Sequence, residues 1–118
     1  MLIVIADDDR DSAETLGELL RVLVPPPVEI VLAFDGIGAL AAATGPRRPD
    51  AVVMDIEMPR MNGLEAALAI RSALGSSAPT IIAVTGHARM SQVIASSGAF
   101  DHVLLKPFNV DVLVPLLP

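Results

Sequence analysis

Five short apolar runs are spaced along the chain: LIVIA (2–6), EIVLAF (29–34), AVVMD (51–55), TIIAVT (80–85) and HVLL (102–105). Each is bounded by turn-forming residues and has the length of a strand rather than a helix. Their apolar character is nearly continuous instead of alternating, as strands require when both faces of a parallel sheet are covered. The segments between them carry apolar residues at helical spacing. Asp11 with Glu14 reads as a capping box, and Leu16, Leu20 and Leu23 continue a stripe until Pro25, Pro26 and Pro27 stop it. Asp35 is placed to cap a second helix bearing Ile37, Leu40 and Ala41, which ends at Gly45 and Pro46. Asn62 and Glu65 cap a third, with Leu64, Leu68 and Arg71 on one side. A fourth helix carries Met90, Val93 and Ile94 and stops at Gly98, and a fifth begins after Asn109.

Five strands alternating with five helices predict a doubly wound α/β fold, with right-handed crossovers and a five-stranded parallel sheet in the order 2-1-3-4-5. No internal repeat, low-complexity tract or linker breaks the pattern. Residues 1–118 are therefore expected to form one domain.

Composition narrows the function classes. The apolar share is 53%, but charge or proline breaks every run well short of the roughly 20 residues a membrane span needs. The N-terminal MLIVIA has no basic flank and does not read as a signal peptide. A soluble, cytoplasmic protein without membrane contact is the expectation. A net charge of −6 argues against a nucleic-acid surface, and Arg47 and Arg48 are the one adjacent basic pair. The absence of cysteine excludes disulfides and thiolate metal sites.

In an open sheet of this order, ligands bind beyond the carboxyl ends of the strands, where the strand order reverses between strands 1 and 3. The first strand delivers Asp7, Asp8 and Asp9 to that edge, the third Asp55, the fourth Thr85 and the fifth Lys106. Asp35, after the second strand, is taken up as a helix cap. Asp9 and Asp11 read as N-cap and helix-dipole partners. Packed carboxylates need a counter-charge, and Lys106 alone does not balance them. Oxygen ligands of this kind suit a hard divalent cation, Mg²⁺ above all.

These residues resemble the receiver domains of bacterial two-component response regulators, typified by the chemotaxis receiver protein, over essentially the whole chain. IADDD is similar to the family's acidic pair, which falls on Asp7 and Asp8. MDIEMPRMNG (54–63) resembles the phosphoacceptor loop, making Asp55 the phosphorylated aspartate. AVTG places the family's hydroxyl on Thr85, with the small Gly86 leaving room for phosphate, and LLKPF supplies Lys106 and Pro107. Thr85 follows Asp55 by 30 residues and Lys106 follows it by 51, which suits the family's strand ends.

The resemblance implies a flavodoxin-like (βα)5 fold and a phosphoacceptor that catalyses only its own phosphorylation and dephosphorylation. The phosphoryl group would come from a phosphohistidine on a histidine kinase or histidine phosphotransfer protein. Mg²⁺ would be held by Asp8 directly, Asp7 mainly through water, Asp55, and the Glu57 backbone carbonyl. Thr85 and Lys106 would bind the phosphoryl oxygens, and the Lys106–Pro107 peptide would be cis. A downstream protein would dock on the face of the fourth helix, fifth strand and fifth helix.

Two departures stand out. Val103 occupies a position usually aromatic in the family, so coupling from Thr85 to that face is expected to be weaker. The final NVDVLVPLLP is apolar on nearly every side, with Val112 and Leu116 left without evident cover, and Pro115 should stop or kink its helix. That segment is expected to form an interface, with a partner or as a weak homodimer. The resemblance leaves two settings, a receiver acting alone or the receiver portion of a hybrid sensor histidine kinase. A haloacid-dehalogenase-type phosphatase has the Asp7 and Asp9 spacing in its favour. Against it, Arg10 and Asp11 stand where Gly-Thr is expected, and 118 residues leave no room for a cap over the substrate.

Overall fold

The computed structural model describes residues 1–118. Five parallel strands, β1 (Leu2–Ala6), β2 (Glu29–Ala33), β3 (Ala51–Asp55), β4 (Thr80–Thr85) and β5 (His102–Leu105), form one sheet in the order β2-β1-β3-β4-β5. Five helices alternate with them: α1 (Arg10–Leu23), α2 (Gly36–Thr44), α3 (Gly63–Leu74), α4 (Ala88–Ser96) and α5 (Val110–Leu113). None is long and apolar enough to cross a membrane.

Side chains alternate across the sheet and feed two cores, because successive residues of a strand point to opposite faces. Val4, Val52, Met54 and Ile81 meet Ala39 and Ala43 of α2 and Ala66, Ala67 and Ile70 of α3. Ile3, Ile5, Val53, Ile82, Val84 and Leu104 meet Ala13 and Leu20 of α1 and Leu113 of α5 on the other face. Helix α4 is different. It buries only Ile94, in a small cluster with Ile56 and Ala83 against which Phe100 and Val103 pack. Met90 and Val93, expected on a packed stripe, are 43% and 57% exposed.

Local chemistry sets the helix ends. The N-cap of α1 is Asp9, not Asp11: Asp9 has an extended backbone, and its carboxylate accepts the N–H groups of Asp11 and Ser12 and the Ser12 hydroxyl. Asp11 is already helical and lies in the first turn. Asn62 and Glu65 form the reciprocal capping box of α3, and Asn109 caps α5. The α5 helix passes after Leu113 into a 3-10 turn containing Pro115. That turn gives Leu116 cover against the core, contrary to expectation, while Val112 remains exposed. The Lys106–Pro107 and Pro26–Pro27 peptides are cis.

Candidate functional site

Strand register brings the polar residues together. Ala6 pairs with Met54, Asp55 with Val84, and Thr85 with Leu105, so Asp7, Asp55, Thr85 and Lys106 leave the sheet along one edge. Asp8, Asp55, Glu57, Thr85, Gly86, His87 and Lys106 line one open cleft there. At its base Asp55 is 9% exposed and Thr85 2%. Lys106 Nζ donates to Asp55 Oδ2 at 3.1 Å and stands 4.0 Å from Asp7 Oδ2.

Carboxylate oxygens of Asp7, Asp8 and Asp55 all lie within 4.8 Å of one another. Burial pushes the Asp55 carboxyl above the ordinary range, and the neighbouring Asp7 adds to this while Lys106 opposes it. One ammonium against three carboxylates leaves surplus negative charge in a half-enclosed cleft. The donors are hard oxygens, so the group is able to hold a divalent cation. Asp7 is oriented by a hydrogen bond from the Asp9 N–H at 2.9 Å. Asp9 itself turns away to cap α1, and the Ser12 hydroxyl, its strongest partner, helps to hold its carboxyl below the usual range.

Three arrangements had no clear signal in the sequence. The Glu57 side chain leaves the acidic group and pairs with the His87 imidazole, joining the loops after β3 and β4 across the cleft. The Thr85 hydroxyl accepts the His87 N–H at 3.1 Å. Asp35 caps α2 as expected, by accepting the Gly38 N–H at 2.7 Å, but its second oxygen is paired with Arg60. The Gly38 N–H and Arg60 together keep its carboxyl below the ordinary range. The Glu57–His87 and Asp35–Arg60 pairs each span distant loops, so spacing along the chain could not have exposed them. Val103 lies in the small apolar cluster under α4, and Phe100 is the aromatic beside it. Gly86 has open space around the position of a Cβ.

Comparison with known proteins agrees with this geometry. The family model of the response regulator receiver domain matches residues 3–117. Response regulator MprA of Mycobacterium avium (strain 104) is 34% identical over 114 residues, covering 97% of this chain and 48% of the relative. The chain thus spans about half the length of the curated relatives it matches. The response regulator TrrA of Thermotoga maritima, solved in complex with Mg²⁺ and BeF, superposes with a TM-score of 0.81 at 34% identity, covering 95% of this chain and 91% of that one. The receiver domain of a sensor histidine kinase from Pseudomonas aeruginosa PAO1, with a magnesium ion coordinated in its active-site cleft, gives a TM-score of 0.81 at 27% identity, covering 98% of this chain and 93% of that one. The fold and the acidic cleft define a receiver of two-component signalling. The chain belongs to the response regulator receiver domain family.

Proposed function

We propose that this receiver takes a phosphoryl group onto Asp55 from a phosphohistidine of a histidine kinase or histidine phosphotransfer protein. An Asp55 carboxylate oxygen attacks phosphorus, the donor's N–P bond breaks, and the imidazole leaves to be reprotonated from solvent. Asp7, Asp8, the Asp55 carboxylate and the Glu57 backbone carbonyl would hold Mg²⁺. When bound, the ion neutralises charge between nucleophile and donor. Lys106 moves its ammonium from the Asp55 carboxylate to a phosphoryl oxygen, and the Thr85 hydroxyl donates to another. Drawing Thr85 and Lys106 inward shifts the loops after β4 and β5. Such a receiver cycles between acylphosphate and hydrolysed states and has no other substrate to turn over.

The observation that carries this reading is the Lys106 to Asp55 contact of 3.1 Å beside three carboxylates gathered within 4.8 Å. Met90, Val93, Leu105 and Val112 expose apolar surface on α4, β5 and α5, which supports docking of a downstream protein on that face. A kinase-fed receiver of this kind works in the cytoplasm. The test is incubation with acetyl phosphate and Mg²⁺, read by intact mass. Wild type is expected to gain one phosphoryl group and Asp55→Asn none. Full labelling of the variant would reject the assignment.

A further inference from the structure

The loop from Ile56 to Asn62, between β3 and α3, is secured locally at its ends. The Ile56 N–H donates to the Val84 carbonyl at 3.1 Å, and the Gly63 N–H donates back to the Ile56 carbonyl at 2.8 Å. Its middle is tied to another part of the molecule. The Gly36 N–H, at the start of α2, donates to the Met61 carbonyl at 2.9 Å. The Arg60 guanidinium meets Asp35 Oδ2 through Nε at 2.9 Å and also through Nη2.

Arg60 stands at φ 65°, a left-handed conformation that a side-chain-bearing residue keeps only where its surroundings demand it. Gly36 lets the two elements close up, since a Cβ there would overlap the Met61 carbonyl oxygen. Capping α2 requires one acceptor and no charge, and Asn caps as well as Asp. Asp35 uses Oδ1 for the cap, leaving a charged Oδ2 for Arg60. Its side chain is only 12% exposed, so the charge is unfavourable without that partner.

We propose that Asp35 and Arg60 are positioning residues, clamping the β3–α3 loop to α2 and so placing the Glu57 carbonyl and the Asp55 carboxylate for metal and phosphoryl. This rests on the roles given to Glu57 and Asp55 above. Glu57 lies three residues before Arg60, and the Asp55 backbone runs directly into the clamped loop. Loosening the clamp spreads the positions the Glu57 carbonyl visits, and metal affinity falls with it.

Three variants separate this from a merely structural pair. Asp35→Asn keeps the cap acceptor and loses the charge. Arg60→Gly removes the guanidinium while suiting the left-handed backbone, and Arg60→Lys keeps a point charge. Amide hydrogen exchange of Gly36 and Met61 is measured without metal, and Mg²⁺ affinity by calorimetric titration. Asp35→Asn and Arg60→Gly are each expected to speed exchange at Gly36 and Met61 and to weaken Mg²⁺ binding about tenfold, the scale of lost outer-shell support. The double variant should be no weaker than either single, and Arg60→Lys should recover part of the loss. Unchanged exchange and affinity in both single variants overturn the proposal. So does a lower melting temperature with wild-type Mg²⁺ affinity, because the pair would then support only the fold. Failure of the underlying site assignment looks different: wild type would show no Mg²⁺ binding that depends on Asp8. The metal-positioning claim would fall with it, while exchange at Gly36 and Met61 in metal-free protein would still decide whether the clamp exists.

Discussion

The loop carrying Asp55 and the loop carrying Thr85 face each other across one cleft, yet they are built to opposite standards. The first leaves a fully buried strand, folds back on itself through Gly63, and is tied to α2 at Gly36 and Asp35. Beneath it α2 and α3 bury Ala39, Ala43, Ala66, Ala67 and Ile70 completely. The second leads into α4, which has no side-chain cap and buries Ile94 alone. A receiver must hold its acceptor and metal ligands still while letting another surface respond. The unequal packing gives each side the stiffness its task needs, since elements with few buried contacts open at lower free energy.

The glycines offer the sharpest way to break this comparison. A Cβ on Gly63 would overlap the Asp55 carbonyl oxygen and lie 2.9 Å from Ile56 Cα, whereas one on Gly86 meets nothing within 4 Å. Gly63→Ala is expected to cost about 4 kcal/mol, because two backbones must separate, and to abolish phosphorylation. Gly86→Ala should stay within about 0.5 kcal/mol of wild type. Urea denaturation of the two variants checks both values, and equal losses would erase the contrast.

Core truncation is expected to have a somewhat smaller effect. Ile70→Ala should cost about 3 kcal/mol and Ile94→Ala about 2 kcal/mol, because the thin cluster under α4 relaxes around a missing side chain more readily. Hydrogen exchange adds a second readout. Loss of protection in Ile94→Ala should be confined to α4, while Ile70→Ala should lower protection throughout the sheet.

The acidic cleft is expected to give smaller effects in two experiments on metal-free protein. Asp8→Ala relieves repulsion with Asp7 and Asp55, so melting in EDTA should occur at higher temperature while Mg²⁺ affinity drops. Asp55 has its carboxyl raised in the fold, chiefly by burial. The folded state therefore binds a proton more tightly than the unfolded chain, and stability declines as pH rises from the ordinary carboxylate range through the folded value. Above that window Asp55→Asn should be more stable than wild type, and the difference should vanish below it. A constant difference between pH 3 and 7 would remove burial as the cause.

The smallest effect concerns Val103, packed with Ile56, Ala83 and Ile94. Val has one short torsion and no ring to displace when Thr85 moves. Saturation with beryllofluoride should shift amides near Asp55, Thr85 and Lys106 strongly and residues 90–103 weakly. Large shifts across residues 90–103 that disappear in Thr85→Ala would show that Val103, or Phe100 beside it, transmits the change after all.

What the sequence determined by itself was whatever depends on near neighbours. Continuous apolar runs declared buried strands, and Asp35, Asn62 and Asn109 declared helix starts, because capping bonds reach only two or three residues. Once the strands were known, their ends placed Asp7, Asp8, Asp55, Thr85 and Lys106 along one edge, since parallel register leaves little freedom there. Even locally, two candidate caps misled: Asp9 rather than Asp11 had the extended backbone that capping needs. Only the tertiary structure decided the bonds between distant loops. Asp35 and Arg60 are 25 residues apart, and Glu57 and His87 come from different crossovers. Such pairs form only after the sheet has fixed where each loop begins. One of them also needs Arg60 in a left-handed conformation that its own local preference disfavours, so the packed molecule, and not the residue, selects it.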